Sequence, residues 1–165
     1  MKENRGQISA EYLLLSGVLI IILMLAAVFI AGENELNIAM GAARSGAVEG
    51  VGVSSAAMYS TDAYNDYSNS KSKLLHPYSV DIVNISYAEL GMDKSYNKKK
   101  IQFKVYAKAS NEYSRSELDS IGERINYNLR KSLAICFNST SSTNKLYNPV
   151  FSKHYVFTTA NIKWV

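Results

Sequence analysis

An uninterrupted apolar run near the N-terminus limits the folds open to this chain more than any other segment. Residues 12–32 read YLLLSGVLIIILMLAAVFIAG and contain no charged side chain. As a helix, residues 8–31 extend about 36 Å, enough to cross a bilayer hydrocarbon core of about 30 Å. A small globular domain does not use its core residues in this way. The sequence therefore predicts that the chain enters a membrane at some stage.

The charges that flank the run predict its orientation. Lys2 and Arg5 precede it, and only acidic residues, Glu33 and Glu35, follow closely. Basic residues stay on the cytoplasmic side of a membrane, so the N-terminus is expected in the cytoplasm and the chain beyond residue 32 outside. Two N-x-S/T sequons agree with an extracellular glycoprotein, and their candidate acceptors are Asn84 and Asn138.

The run is longer than the apolar region of an ordinary secretory signal, which has about 7–15 residues. Ala26 and Ala27 resemble the small residues of a signal cleavage site, so removal of the whole segment stays open. An ordinary signal anchor is the other simple interpretation.

Glu11 argues for more than an anchor. It precedes the apolar run directly, and burying its charge without a partner costs several kcal/mol. If the chain were cut between Gly6 and Gln7, the new amino terminus would lie one helical turn from Glu11. The same amine on a neighbouring molecule would neutralise the carboxylate on assembly.

These residues also form a recognisable motif. The segment Gln7-Ile8-Ser9-Ala10-Glu11-Tyr12-Leu13 resembles the Q-x-S-x-E-Y-L motif of archaeal pilins with class III signal peptides, members of the type IV pilin-like superfamily. Every specified position matches, and the motif stands where a polar leader meets the apolar helix. The resemblance covers roughly the first third of the chain. It says nothing specific about residues 67–165.

The resemblance implies a processing and assembly route. A membrane prepilin peptidase would cut between Gly6 and Gln7 and remove residues 1–6, and Glu11 would be the acidic residue used in assembly. The expected partners are other pilin subunits, an assembly ATPase and a membrane platform. The mature chain would then lie in cell-surface filaments. The motif residues assigned to assembly are Gln7, Ser9, Glu11, Tyr12 and Leu13.

The segment after the apolar run is rich in small residues. Of the 19 residues at 39–57, 13 are Gly, Ala or Ser, and Gly46 and Gly50 have a spacing that lets helix backbones approach closely, as a bundled filament core requires. A flexible linker is the alternative, since glycine weakens a helix. Apolar residues at helical spacing favour a helix that continues to about Tyr59 or beyond. Residues 7–66 are thus assigned to the long helix and its end.

Residues 67–165 carry the pattern of a small α+β head. Strands are predicted at 80–87 and 101–109, joined by a hairpin loop at 91–100, and a further strand at 154–165. Between them, Ser114 and Glu117 form a capping box that starts a helix with an apolar stripe. The expected fold is a long N-terminal hydrophobic helix followed by a small antiparallel sheet with one or two packed helices. The stripe consists of Leu118, Ile121, Ile125, Leu129 and Leu133.

Charge divides unevenly along the chain. Residues 1–66 have three basic and seven acidic side chains, a net charge of −4, whereas residues 67–165 have 15 and seven, a net charge of +8. Lys98, Lys99 and Lys100, in the predicted loop, are candidates for contact with an anionic surface, although such a run is also typical of a solvated turn. Nucleic-acid binding is not favoured, because no base-reading motif accompanies the charge.

The sequence offers little for catalysis or metal binding. It contains no phosphate-binding loop, metal-binding histidine pair or nucleophile elbow, and no cofactor is expected. His76 is interpreted as a turn residue and His154 as a surface or edge residue. Cys136 is interpreted as a small buried hydrophobe. The chain is therefore not expected to be an enzyme.

Three functions remain open. The first is a structural pilin subunit of an adhesion pilus, where adhesion is the default implied by the family. The second is a minor pilin or pseudopilin that initiates or tips a filament of other subunits. The third is a membrane-anchored surface-binding protein that never polymerises.

Overall fold

The computed structural model describes residues 3–56, 80–109 and 113–165, without the side chains of residues 3–8 and 53–56. The chain divides into two compact units, Met1–Asn37 and Ile38–Val165. Three predictions lie outside the described residues: the helix end near Tyr59, the boundary between residues 66 and 67, and the turn at His76.

Helix α1 spans Glu3–Ala56. Its first part contains the apolar run, in which ten Leu, Met and Ala residues, all strong helix formers, outnumber six β-branched Val and Ile residues. Its later part is rich in alanine, which offsets the cost of the glycines. The predicted long N-terminal apolar helix is confirmed over this range.

The sheet of the second unit is mixed. Its strands are β1 Val80–Asp93, β2 Lys98–Ala109, β3 Val150–Phe151, β4 Tyr155–Thr159 and β5 Lys163–Trp164. They lie in the order β1-β2-β4-β3, and β5 pairs with β2 beyond the end of β4. Strand β2 is antiparallel to β1 and parallel to both β4 and β5, and β3 is antiparallel to β4.

The predicted α+β class is confirmed, but the expected antiparallel sheet was only partly right. A helix lies in the sequence between β2 and β4. After this helix the chain enters β3, which is antiparallel to β4, and the reversal at residues 152–154 then brings β4 in parallel to β2.

The hairpin between β1 and β2 is tighter than predicted. The loop expected at 91–100 contracts to a turn at residues 94–97, where Asn97 has a φ of 51°. The Asp93 carboxylate accepts a hydrogen bond from the Ser95 backbone N–H (2.9 Å) and helps close the turn. Gly91, with a φ of 82°, lies at an irregularity in the pairing of β1, as is typical of a β-bulge.

Helix α2, Arg115–Cys136, covers one face of this sheet. Its capping box is confirmed: the Ser114 N–H donates to Glu117 Oε2 at 2.8 Å, and the Glu117 N–H donates to Ser114 Oγ at 3.4 Å. Most of the predicted stripe is fully buried, and only Leu118 is half-exposed. Burial of each such Leu or Ile contributes about 1.5–3 kcal/mol. The largest buried side chains of the unit are Phe103, Phe157, Ile101, Ile125, Leu129 and Leu133.

The C-terminal segment forms two short strands, whereas one continuous strand was predicted at 154–165. Strand β4 lies inside the sheet between β2 and β3, and Tyr155, Val156 and Phe157 are all buried. The alternation of side chains along this segment is therefore a poor guide to its burial. The chain remains attached to β2 across the break, because the N–H of Ala160 donates to the Phe103 carbonyl at 2.9 Å.

Candidate assembly helix and head surfaces

The apolar part of α1 exposes side chains on all sides. Fifteen large apolar side chains between Tyr12 and Ile30 are exposed, and the exposed fraction of each side chain is between 47% and 73%. In the described part of the chain, this is the one helix long and apolar enough to cross a membrane, and none of its most apolar window, of mean hydropathy 3.1, is buried within the protein. A helix that is apolar all round requires lipid or other helices around it.

The motif residues lie at the start of this surface. The backbone of Gly6 and Gln7 belongs to α1, and their side chains are outside the described part. Ser9 and Glu11 are exposed, as are Tyr12 and Leu13. Among the side chains that the structure describes, Glu11 forms no ion pair. The carboxylate thus lies at the polar end of the apolar surface.

Gly46 and Gly50 pack the later part of α1 against α2 of the same chain. A Cβ atom built at Gly46 would lie 2.6 Å from the Asn128 carbonyl oxygen, and one at Gly50 would lie 2.8 Å from Ile125 Cα. Neither position has room for a side chain. The close helix approach that the glycine spacing predicts is thus made between α1 and α2 inside the unit Ile38–Val165. The sequence had suggested a contact between subunits in the filament core.

The three lysines of the predicted loop lie instead at the start of β2. Lys98 donates a hydrogen bond to the Ser152 carbonyl and lies 5.9 Å from the centre of the Phe151 ring. Lys100 forms an ion pair with Asp93 at 3.8 Å. Two of the three ammonium groups therefore make contacts within the head, which weakens the prediction that this run binds an anionic surface.

A different group of lysines surrounds Tyr106 on the sheet face opposite α2. Lys104 and Lys108 lie two residues before and after Tyr106 on β2, and therefore on its side of the sheet. Lys163 of β5 is paired with Tyr106, and its Nζ lies 5.5 Å from the ring centre. We call these four residues the lysine cluster. The alternation of Lys and apolar residues in β2 was visible in the sequence, but the contribution of β5 was not.

A cavity of about 300 Å³ lies on the other side of the sheet, between α2 and the C-terminal segment. Asp119 and Glu123, exposed and one helical turn apart, line it together with Trp164 and Asn126. We call these four residues the acidic pocket. Asn126 is only 4% exposed, and its Nδ2 donates to the Ala160 carbonyl at 3.0 Å. Its Oδ1 is buried and has no hydrogen-bond partner within the described residues.

Arg130 lies about one helical turn beyond Asn126 along α2. It is 7% exposed, and its guanidinium donates to the Leu146 carbonyl at 3.1 Å and to Thr159 Oγ1 at 2.6 Å. Burial lowers the pKa of Arg130, and the negative charge of Glu123 acts in the opposite direction. This side chain ties α2 to β4 and to the loop that precedes β3.

The other predicted site residues lie in separate parts of the fold. Asn84 is exposed on β1, on the face of the lysine cluster, and Asn138 is exposed just after α2. His154 is half-exposed at the start of β4. In the described ranges, no three His, Cys, Asp or Glu side chains are grouped closely enough to hold a metal ion.

The prediction for Cys136 was wrong. It is exposed, because it is the last residue of α2 and lies beyond Leu133 and Ala134, the last residues that the helix buries.

Comparison with known proteins gives one match. The family model described as "Class III signal peptide" matches residues 4–31. No curated protein and no solved structure matches the chain. The matched segment contains the Q-x-S-x-E-Y-L motif and most of the exposed apolar surface of α1. It indicates a type IV pilin-like precursor, a structural protein whose apolar helix fits a membrane-anchored form.

Proposed function

We propose that the chain is the precursor of a pilin subunit, cleaved between Gly6 and Gln7 and polymerised through α1 into a surface filament. The exposed apolar surface of α1 carries this proposal. In the precursor that surface faces lipid, and in the filament it faces the helices of neighbouring subunits. Because lipid and a bundle of apolar helices are similarly apolar, the hydrophobic effect gives little net drive between the two states.

A charge pair between subunits and an assembly machine drive the transfer of α1 from lipid to the filament. Cleavage creates an α-amino group on Gln7, and Glu11 at the edge of the apolar surface is its acidic partner on an adjacent subunit. A charge pair formed away from water favours one register between neighbouring helices. An assembly ATPase and a membrane platform, together with the prepilin peptidase, are the partners that this route requires.

The filament that fits best is an archaeal type IV-like adhesion pilus. The Q-x-S-x-E-Y-L motif is the observation in favour of an archaeal class III precursor. Adhesion is assigned because it is common among proteins with this motif. In this route the head is extracellular. The N-terminus of the precursor chain is cytoplasmic until the subunit is extracted from the membrane.

The first experiment is mass spectrometry of the protein purified from native membranes and from sheared surface filaments. We expect a mature chain that begins at Gln7, as glutamine or cyclised to pyroglutamate, in filaments that are visible by electron microscopy. A chain that keeps residues 1–6 and is absent from filaments would instead identify a non-polymerising surface-binding anchor.

A minor pilin role is the second candidate, and the net charge of +8 on residues 67–165 favours it. A major subunit repeats its head surface many times, so like charges accumulate unless acidic groups offset them. Abundance separates the two roles. If this chain is the bulk protein of purified filaments, it is a major subunit, and if it is present at a few copies per filament, it initiates or tips one.

A further inference from the structure

Strand β5 carries neighbouring residues of two oppositely charged surfaces. Lys163 pairs with Tyr106 and belongs to the lysine cluster, whereas Trp164 pairs with Ala107 and lines the acidic pocket. Successive residues of a strand point to opposite faces of its sheet. The two surfaces are therefore back to back on one head.

The acidic pocket has the chemistry of a site for an ammonium group. Asp119 and Glu123 provide carboxylate oxygens, and in the described part of the chain neither forms an ion pair within 4 Å. The half-exposed Trp164 ring adds an aromatic wall, and Asn126 also lines the pocket, although its Oδ1 is buried and has no hydrogen-bond partner within the described residues. An ammonium carries three donors and no acceptor, and it is attracted to an aromatic face.

The lysine cluster offers such groups. Lys104 and Lys108 lie on one strand and are separated by about 13 Å, whereas Asp119 and Glu123 are separated by about 6 Å along α2, so one acidic pocket receives one of these two lysines at a time. Asp81 is paired with Lys108 across β1 and offsets part of its charge, whereas Lys104 is paired with the neutral Ser86. Lys104 is half-exposed and has no acidic partner opposite it on β1, whereas Lys108 is exposed.

We propose that the acidic pocket of one subunit binds lysine side chains from the lysine cluster of the next subunit. The occupant is a second copy of this chain, and the argument for it is the complementary charge of the two surfaces. A contact between two different surfaces of identical subunits is heterologous, and repetition of such a contact builds an open helical array unless it closes into a ring. The contact also offsets the repulsion expected among basic heads in a filament.

This inference rests on the proposed function, and zero-length crosslinking of intact wild-type filaments tests it directly. A water-soluble carbodiimide joins a carboxylate to an amine as an amide only when the two are in contact. We expect amides between Asp119 or Glu123 and Lys104 or Lys108. The sheet separates these residues within one chain, so such a link identifies two subunits. Filaments that yield other carboxylate–lysine links and lack these would overturn the inference.

Charge exchange provides a second test in cells. The double variant Asp119→Lys, Glu123→Lys is expected to lose filaments, and so is Lys104→Glu, Lys108→Glu. The combination of all four changes is expected to restore them, because the complementary charges are then exchanged. The matched control is Lys145→Glu, Lys153→Glu, which alters exposed lysines outside both surfaces and is expected to keep wild-type yield.

The outcomes separate this inference from the proposed function. Wild-type filament yield in both double variants would overturn the pairing of the two surfaces and leave the pilin assignment intact. Loss that the four-fold variant does not reverse would also overturn it. Absence of the wild-type chain from any surface filament would overturn both. Binding of free sugars or acidic polymers to wild-type heads, without the crosslinks, would assign the surfaces to other ligands.

Discussion

Glu11 is a carboxylate at the end of a large exposed apolar surface, and in the proposed function it pairs with the α-amino group of a neighbouring subunit. We predict that Glu11→Gln inserts into the membrane and is cleaved but enters filaments about tenfold less, since about 1.4 kcal/mol of lost pairing corresponds to a factor of ten. The measurement is the ratio of filament to membrane protein by immunoblot.

The matched control for Glu11 is Glu33→Gln, which neutralises an exposed carboxylate beyond the other end of the apolar run. Its filament yield is expected to equal that of the wild type. Equal yields from Glu11→Gln and wild type would contradict a pairing role for Glu11.

Among the residues that the structure describes, Arg130 is the charged side chain that is buried in the head. Arg130→Ala removes two hydrogen bonds from a charged donor and leaves Leu146 and Thr159 without them. We expect the free energy of unfolding to fall by about 2–4 kcal/mol. Denaturant unfolding measures the change, and Lys131→Ala, a partly exposed neighbour, is expected to change it by under about 0.5 kcal/mol. A similar small effect for Arg130→Ala would show that its contacts contribute little.

At the scale of residues, local chemistry was predictable and burial at element ends was not. The capping box of Ser114 and Glu117 depends on atoms three residues apart, so the sequence contains all of it. The exposure of Cys136 depends on where α2 extends past the sheet. The positions of Lys98 and Lys100 depend on the length of the hairpin turn, which Asn97 tightens.

At the scale of elements, the contact between α1 and α2 is the one most sensitive to a single methyl group. Gly46→Ala places a Cβ within 3 Å of the α2 backbone and is expected to destabilise the head by about 1–3 kcal/mol. Gly41→Ala is the matched control, because no atom lies within 4 Å of its added Cβ. It is expected to stabilise α1 by about 0.5–1 kcal/mol.

Thermal unfolding of the two glycine variants gives the comparison. A lower midpoint for Gly46→Ala and a higher one for Gly41→Ala would agree with close packing of α1 on α2. If both changes raised the midpoint of thermal unfolding, that result would contradict close packing of Gly46 against α2.

Elements with strong local periodicity were found from the sequence, and their pairing was not. The stripe of α2 and the alternation of β2 are repeated over several turns or residue pairs. Strand β3 has two residues and no period of its own. The parallel pairing of β4 and β5 with β2 depends on the path of the chain through α2 and on its reversal between β3 and β4, which are properties of the fold and not of any one segment. The acidic pocket was missed for the same reason, since α2 and β5 form it together.

At the scale of the whole molecule, the apolar surface of α1 and the two charged surfaces of the head lie in different units. The all-round apolar surface belongs to Met1–Asn37, and both charged surfaces belong to Ile38–Val165. The sequence alone located the first, because a run of 21 uncharged and almost wholly apolar residues is recognised without tertiary information. The charged surfaces required the sheet, which brings Lys163 beside Tyr106 and Trp164 beside α2.

This division predicts that a fragment of residues 38–165 is soluble without detergent and folds on its own. It omits the apolar run and retains the glycine-mediated packing of α1 on α2 together with the sheet and its core. We expect a monomer by sedimentation at micromolar concentration, because one exposed ion pair contributes only about 0–1 kcal/mol and the proposed contact between heads gains strength only when the helices hold many subunits together. Circular dichroism should show one cooperative thermal transition. The mature chain from Gln7, prepared identically, is expected to require detergent or to assemble. A fragment that aggregates or melts without cooperativity would mean that residues 7–37 are needed to fold the head, and the separation of assembly helix from head would then fail.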